Sequence, residues 1–215
     1  MKEKLQNTRR SYERGQLDYE HIAADPLQQF ARWYNDYEQA QADDPNACLL
    51  STADAQGRVT ARVILLKGID QGAFEFYTNY RSEKGRQLAE NPQAALTFYW
   101  PEQERQIRIE GLVEKLSPAE SDRYFASRPR GSQLGAWVSP QSEAIQSRQV
   151  LDQRLKAVKA QYGEKELVPR PPHWGGYRLK PRRLEFWQGR PSRLHDRMVY
   201  EQRADKSWEV DRLAP

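Results

Sequence analysis

Cysteine is nearly absent from this sequence. Cys48 is the only one in 215 residues, so no intrachain disulfide can form and a cysteine-built zinc site is excluded. It lies in the apolar run ACLLS, where a small buried thiol is the expected role. Histidine is almost as scarce. His21, His173 and His195 stand far apart without ligand spacing, and no metal site is expected. No stretch approaches the roughly 18 consecutive apolar residues of a membrane span. The opening MKEKLQNTRRSYERG has no apolar segment of the secretory kind. A soluble chain in a reducing, cytoplasmic setting, without membrane contact, is the expectation. The GxGxxG, Walker, HExxH and GxSxG motifs are also missing, which removes the functions they carry. So is an excess of charge of one sign. The 34 basic residues are nearly matched by 30 acidic ones, interspersed, for a net +4. That pattern describes a mixed-charge surface better than a nucleic-acid-binding stripe.

Aromatic residues, by contrast, are plentiful: six Trp and eleven Tyr argue for a packed core despite a hydrophobic fraction of 38%. Residues 1–24 are polar and weakly periodic, and read as a flexible arm that is ordered by contact. DPLQQFARWYNDYEQAQ reads as a helix, with Asp25 as cap, Pro26 at the first position and Leu27, Phe30, Tyr34 and Tyr37 on one stripe. From residue 47 the period becomes two. ACLLSTAD, RVTARVILLK, GAFEFYTN, QAALTFYW and RQIRIEGLVEKL are strand-like, separated by AQG, GIDQG and PEQE turns. SEKGRQLAENP reads as a short helix. SPAESDRYFASR reads as a second, with a Ser117–Glu120 capping box, and SEAIQSRQVLDQRLKAVKAQYG as a third. After the stiff PRPP connector, HWGGYRLK, RRLEFWQ, RMVYEQR and SWEVDRL return to strands. The fold class expected is mainly β with peripheral helices, an antiparallel barrel forming one domain over 25–215.

The candidate chemistry is anion binding. Arg62 and Lys67 bracket the apolar strand RVILLK, where snorkelling to solvent is the bland alternative. Thr78, Ser82 and Lys84 lie beside a helix start, where backbone N–H groups and the helix dipole favour a phosphate. Gln106 offers an amide on a strand face, suited to a planar heterocycle or simply to solvent. Tyr124, Arg128 and Ser132 fall within nine positions, at a helix end and the loop expected after it. In RLHDR, an extended backbone would put Arg193, His195 and Arg197 on one face, where they repel unless an anion lies between them.

The chain resembles the pyridoxamine (pyridoxine) 5′-phosphate oxidases, FMN enzymes of vitamin B6 metabolism. The resemblance rests on RVILLKG, FYTNYRSEKGRQLAENP, ERQIRIEG, YFASRPRGSQLGAWVSPQS, HWGGYRL, EFWQGRPSRLHDR and the terminal DRLAP, in the family's order from about residue 25 onward. It implies an FMN-binding split β-barrel, a homodimer with FMN at the subunit interface. As FMN contacts it implies Arg62, Val63, Ile64, Leu65, Leu66, Lys67, Tyr77, Thr78, Lys84, Gln106, Gln141, Ser142, Trp187 and Arg197. For the substrate phosphate it implies Lys67, Tyr124, Arg128 and Ser132. Arg193, Leu194 and His195 would meet the substrate ring, with Arg193 and His195 as the catalytic pair. In the arm, Arg9, Arg10, Ser11 and Tyr12 match a segment that folds over bound substrate, and Asp44 matches an acidic residue near the site.

By the same resemblance the expected activity is oxidation of pyridoxamine and pyridoxine 5′-phosphates by O2 to pyridoxal 5′-phosphate, with hydrogen peroxide. One departure stands out. Where the family commonly has Ser-Arg-Lys, this chain has Ser82-Glu83-Lys84, and a fixed negative charge beside a phosphate opposes its binding. FMN binding is still expected, with Arg81 or Arg86 as compensating cations. The rival readings are another split-barrel flavoprotein acting on a non-phosphorylated substrate, a nucleic-acid module, and a flavin-binding relative without catalysis.

Overall fold

The period-two segments pair into one nine-stranded sheet in a computed structural model, which describes residues 1–8, 10–40, 43–163 and 167–215. Along the chain the elements are α1 (Lys2–Asn7), α2 (Pro26–Gln39), β1 (Ala47–Ala53), β2 (Val59–Leu65), β3 (Gly68–Asp70), β4 (Ala73–Asn79) and α3 (Glu83–Glu90). Then follow β5 (Gln93–Trp100), β6 (Arg105–Lys115), α4 (Pro118–Ser127), α5 (Arg130–Val138), α6 (Arg148–Tyr162), β7 (Trp174–Gln188), β8 (Asp196–Gln202) and β9 (Trp208–Arg212). The sheet order is β2-β1-β5-β6-β7-β4-β3, with β8 on β7 and β9 on β8, and every pairing is antiparallel. The mainly β split barrel with helices at its periphery is therefore as expected.

Alternation along the strands sorts the residues into two faces. Leu50, Leu96, Phe98, Ile107, Ile109, Leu184 and Phe186 are fully buried on the core face. Helix α2 closes that core: Phe30 meets Phe98 at 5.2 Å, Trp33 meets Phe186 at 5.3 Å, and Tyr37 stacks on Trp100 at 5.0 Å. Truncating one such buried aromatic costs about 3–5 kcal/mol. The Asp25 carboxylate caps α2 by accepting the Leu27 N–H at 2.7 Å, with Pro26 at its start.

Four departures from the sequence expectations have local causes. HWGGYRLK and RRLEFWQ form one 15-residue strand, β7, because the missing N–H of Pro181 falls at an irregularity opposite Gly111. A Cβ at Gly111 would lie 2.1 Å from the Lys180 carbonyl oxygen, so only glycine lets the two backbones meet there. The stretch after α4 is not a loop but helix α5, disguised by Gly131 and Gly135 inside it. The last helix begins at Arg148 rather than Ser142, which has φ +71°. Gly68–Asp70, expected as turn, is a short strand on β4.

Candidate functional site

A cation cluster forms where α3 packs beneath the β1–β2 edge. Ser82 caps α3 by accepting the Gly85 N–H, as the spacing predicts. Arg62 shares its face of β2 with Ile64 and reaches inward. Its guanidinium donates to the Thr52 hydroxyl at 2.6 Å, to the Thr60 hydroxyl and to Gln87 Oε1 at 3.5 Å, and pairs with Glu83 at 3.6 Å. Lys84 is buried and has only the Thr78 hydroxyl, at 3.4 Å, as a hydrogen-bond partner among the described residues. Burial pulls its pKa down, the Arg62 charge adds to that, and Glu83 opposes it. A buried ammonium without a paired carboxylate is costly unless an anion completes the site. The donor set of Arg62, Lys84 and Thr78 therefore fits a phosphate. The cation that meets Glu83 is Arg62, and Arg86, one of the two cations expected to compensate, donates to the Arg81 carbonyl.

Of the run 62–67, only part belongs to this cluster. Val63 and Leu65 point to the opposite, outer face, 68% and 39% exposed, beside Leu49 across the strand pair. Ile64 and Leu66 pack against or within the core. Lys67 is exposed and borders a separate hollow of about 420 Å³ with Phe30, Tyr34, Asn35 and Asn46. Within one chain it does not join Tyr124, Arg128 and Ser132, the other members of the expected cradle.

Those three do lie together, around the α4–α5 junction. Arg128 and Ser132 border a cavity of about 260 Å³ with Asn79, Ser139, Gln141 and Trp174. The Arg128 guanidinium stacks 4.3 Å from the Trp174 ring centre, and its buried Nη1 has no hydrogen-bond partner among the described residues. Tyr124 stacks on Tyr77 at 3.7 Å. Burial, with Glu75 nearby, pushes the Tyr77 phenol up to about 12. Gln141 joins this cavity to the cation cluster, since its Oε1 accepts from the Thr78 hydroxyl at 3.3 Å. Ser142 is exposed beside it.

The outer face of the sheet carries a second row. Gln106 pairs with Trp187, and Trp187 with Arg197, in direct register across β6, β7 and β8. Arg197 donates to Glu185 at 2.8 Å and to the Ala214 carbonyl, rather than pairing with Asp196 or Asp211 as considered from sequence. The buried Glu185 carboxylate also meets Arg108 at 3.1 Å and Arg183 at 3.2 Å. Burial raises its pKa, but the surrounding arginines outweigh that and hold it low.

Arg193, His195 and Arg197 do not share one face of a strand. Pro191–Arg193 forms a 3-10 turn with Ser192 at φ +57° and Arg193 at φ +62°, and β8 begins only at Asp196. The turn instead bends Arg193 and His195 round a cavity of about 590 Å³ with Trp187, Arg190, Thr8, Arg10, Ser11 and Tyr12. His195 lies 4.6 Å from the Trp187 ring and 5.7 Å from Tyr12. Its Nδ1 accepts the Arg190 N–H at 3.1 Å, which leaves the proton of the neutral ring on Nε2. Burial lowers its pKa, Arg193 lowers it further, and Asp196 opposes both. Leu194 is 69% exposed. Arg9 lies outside the described residues. Asp44, exposed ahead of β1, borders neither the Arg128 nor the His195 cavity. Sequence reasoning missed Arg190, Glu104 and Glu185. A carboxylate inside the apolar alternation of RRLEFWQ was the available signal for the last.

Two family descriptions match. Residues 36–162 match "Pyridoxamine 5'-phosphate oxidase", and residues 174–215 match "Pyridoxine 5'-phosphate oxidase C-terminal dimerisation region". The pyridoxine/pyridoxamine 5′-phosphate oxidase of Paraburkholderia phymatum is 54% identical over 211 residues, 98% of this chain and 99% of that one. The protein of the same name from Salinibacter ruber is 51% identical, covering 99% of both. Among solved structures, PhzG from Burkholderia lata, in complex with tetrahydrophenazine-1-carboxylic acid, has a TM-score of 0.85. It is 32% identical, over 94% of this chain and 100% of that one. A related FMN-binding protein from Nostoc punctiforme, 17% identical over 90% of this chain and 100% of its own, shares the fold with a TM-score of 0.71.

Proposed function

The chain belongs to the pyridoxamine 5′-phosphate oxidase family, and from that premise we propose that it is an FMN-dependent oxidase of pyridoxamine and pyridoxine 5′-phosphates. The alcohol and O2 give pyridoxal 5′-phosphate and hydrogen peroxide; the amine takes up one water as well and releases ammonia. When bound, FMN supplies the two-electron acceptor and the route to O2. Arg62, Lys84 and Thr78 would hold its phosphate, and Gln106, Trp187 and Arg197 would face its ring system. Arg128, Ser132 and Tyr124 would hold the substrate phosphate, with Lys67 supplied by a second copy of the chain. Arg193 would cover the substrate ring and orient C4′. His195, neutral near pH 7 with Nε2 protonated, would donate a hydrogen bond to it.

The observation that carries this reading is the unpartnered Nη1 of Arg128. A buried guanidinium stacked on Trp174, in a cavity bordered by no carboxylate among the described residues, is suited to an anionic oxygen. A homodimer is part of the proposal. Its support is the match to a dimerisation region and the exposed apolar residues Val59, Val63 and Leu65 on edge strand β2, a face that calls for cover.

A second reading comes from the likeness to PhzG: a tricyclic carboxylate in place of the pyridine phosphate. One assay separates the two. The FMN-loaded protein should show a flavin absorption band that bleaches without oxygen on addition of pyridoxamine 5′-phosphate. Bleaching by tetrahydrophenazine-1-carboxylic acid alone would favour the second reading, and no bleaching by either would refute both.

A further inference from the structure

Thr8, Arg10, Ser11 and Tyr12 of the N-terminal arm are four of the nine residues that wall the His195 cavity. Their neighbourhood is mostly exposed: Arg10, Ser11, Glu13 and Arg14 bury little of themselves. Further along, the arm is fixed by its own packing. Leu17 is 3% exposed, its N–H donates to Asp196 at 3.0 Å, and Arg190 donates to the Gly15 carbonyl at 2.9 Å. Residues 10–14 have two side-chain ties, from the Arg10 and Arg14 guanidinium groups to the Pro101 and Glu102 carbonyls, but among the described residues their backbone is held at one place.

That place is Glu104. We propose that Glu104 is a positioning residue that fastens arm residues 10–14 across the His195 cavity and thereby sets substrate affinity. One oxygen of its carboxylate, Oε2, accepts the N–H groups of both Glu13 and Arg14, at 2.7 and 3.0 Å. The other oxygen lies 3.7 Å from the Arg10 guanidinium. Its side chain is 5% exposed, so these contacts compete little with water. The backbone of Glu104 is tied to the far side of the cavity: its carbonyl accepts the Gly189 N–H at 2.7 Å and the Gln188 amide at 3.3 Å. Gly189 leads directly into the turn that carries Arg193. Tyr12 closes over the same glycine, where a Cβ would lie 2.8 Å from the Tyr12 ring. It also meets Trp187 edge-on at 5.7 Å. One residue at φ +56° thus joins the arm, the end of β7 and the His195 turn.

The consequence for catalysis rests on the proposed function, but the fastening itself does not. Three variants test it: E104A, E104D and E104Q. Glutamine keeps a carbonyl oxygen where Oε2 stands and can accept both arm N–H groups, so E104Q should behave like the parent. Aspartate keeps the charge and tolerates a positive φ better than glutamate, but falls one methylene short of the arm. E104D should therefore behave like E104A without straining the turn, and it serves if E104A does not fold. The first measurement is limited trypsin digestion of the FMN-loaded protein without substrate, following cleavage after Arg10 and Arg14. E104A and E104D should be cut at least about tenfold faster there, with the remaining chain intact. The second is steady-state kinetics with pyridoxamine 5′-phosphate, where KM should rise at least about fivefold and kcat change less than threefold. Unchanged cleavage in E104D, or cleavage of E104Q as fast as that of E104D, overturns the proposal. Should the parent fail to oxidise this substrate, the function falls while the digestion still decides the role of Glu104.

Discussion

Glu83 offers a quantitative test of how the cation cluster is set for its phosphate. Its carboxylate stands 3.6 Å from Arg62, with its side chain 52% exposed and that of Arg62 19% exposed. In bulk water a pair at that distance is worth about 1 kcal/mol, and several-fold more at an effective dielectric of about 20. Glu83 is half in water, so the value is discounted to about 0.5 kcal/mol, the middle of the range for exposed pairs. Two effects then act in the same direction on FMN affinity. Without FMN, Glu83 lends that 0.5 kcal/mol to the empty cluster, and a phosphate taking over Arg62 must forfeit it. With FMN, Glu83 repels a phosphate carrying nearly two charges, by about a further 0.5 kcal/mol at the same discount.

Replacing Glu83 with glutamine removes both effects. FMN affinity should then rise by about 1 kcal/mol, roughly fivefold in Kd. The protein without FMN should become slightly less stable, because Arg62 and Lys84 lose their nearest counter-charge. The measurement is quenching of FMN fluorescence on titration into FMN-free protein. At about 20 mM salt the fivefold gain should be full, and at about 1 M salt it should shrink, since screening then acts over about 3 Å. E83R should gain more than E83Q. Equal or weaker FMN binding by E83Q at low salt would refute the reasoning, because it would mean that Glu83 does not compete with the phosphate for Arg62.

The other expectations are simpler. Arg128→Ala should raise KM for pyridoxamine 5′-phosphate about 10- to 100-fold with kcat little changed, as for loss of a charge-assisted hydrogen bond of about 1.5–3 kcal/mol; a fall in kcat alone contradicts the assignment. Arg193→Ala should leave FMN affinity within about twofold and cut kcat by at least about tenfold through lost orientation, and unchanged turnover rules that role out. His195 should titrate below its ordinary value of about 6.5 when followed by NMR in the FMN-loaded protein. Because the folded pKa is depressed, the linked stability is present above about 6.5 and lost as pH falls through the folded value, a slope that His195→Asn should flatten. Gly111→Ala should cost about 3 kcal/mol in urea denaturation, since neither the Lys180 carbonyl nor Pro181 can retreat without breaking the β6–β7 ladder.

What was legible in the sequence follows from the range of each interaction. The α2 cap at Asp25, the Ser82 cap and the Ser117–Glu120 box involve residues two or three apart, and all are present. Strand alternation correctly separated Ile107 and Ile109 from Gln106. Two strands in place of β7 were read because Pro181 is a local signal, whereas the glycine that accommodates it lies about 70 residues earlier on a neighbouring strand. Helix α5 was missed for the opposite reason: its two glycines are unfavourable locally, and the packing of Leu134 and Ala136 against Phe125 and Trp174 outweighs them. The failure of the RLHDR alternation is the instructive one. Ser192 and Arg193 adopt left-handed backbone that no residue type there demands, so nothing local announces the turn.

That turn also explains how so few residues serve so many contacts. Had 193–197 run straight, the three cations would have lined one face and met a single anion together. Breaking the strand at Asp196 divides them instead. Arg197 stays in the sheet, held by the buried Glu185 in register with Trp187 and Gln106. Arg193 and His195 leave it to face the arm. The division gives His195 a neighbour of like charge and, among the described residues, no carboxylate within ion-pairing distance, which, with burial, lowers its pKa and favours the neutral ring that can donate through Nε2. A straight strand would instead place Arg197 and Arg193 together beside the ring and fix all three to one ligand, leaving no cation in the sheet row of Trp187 and Gln106.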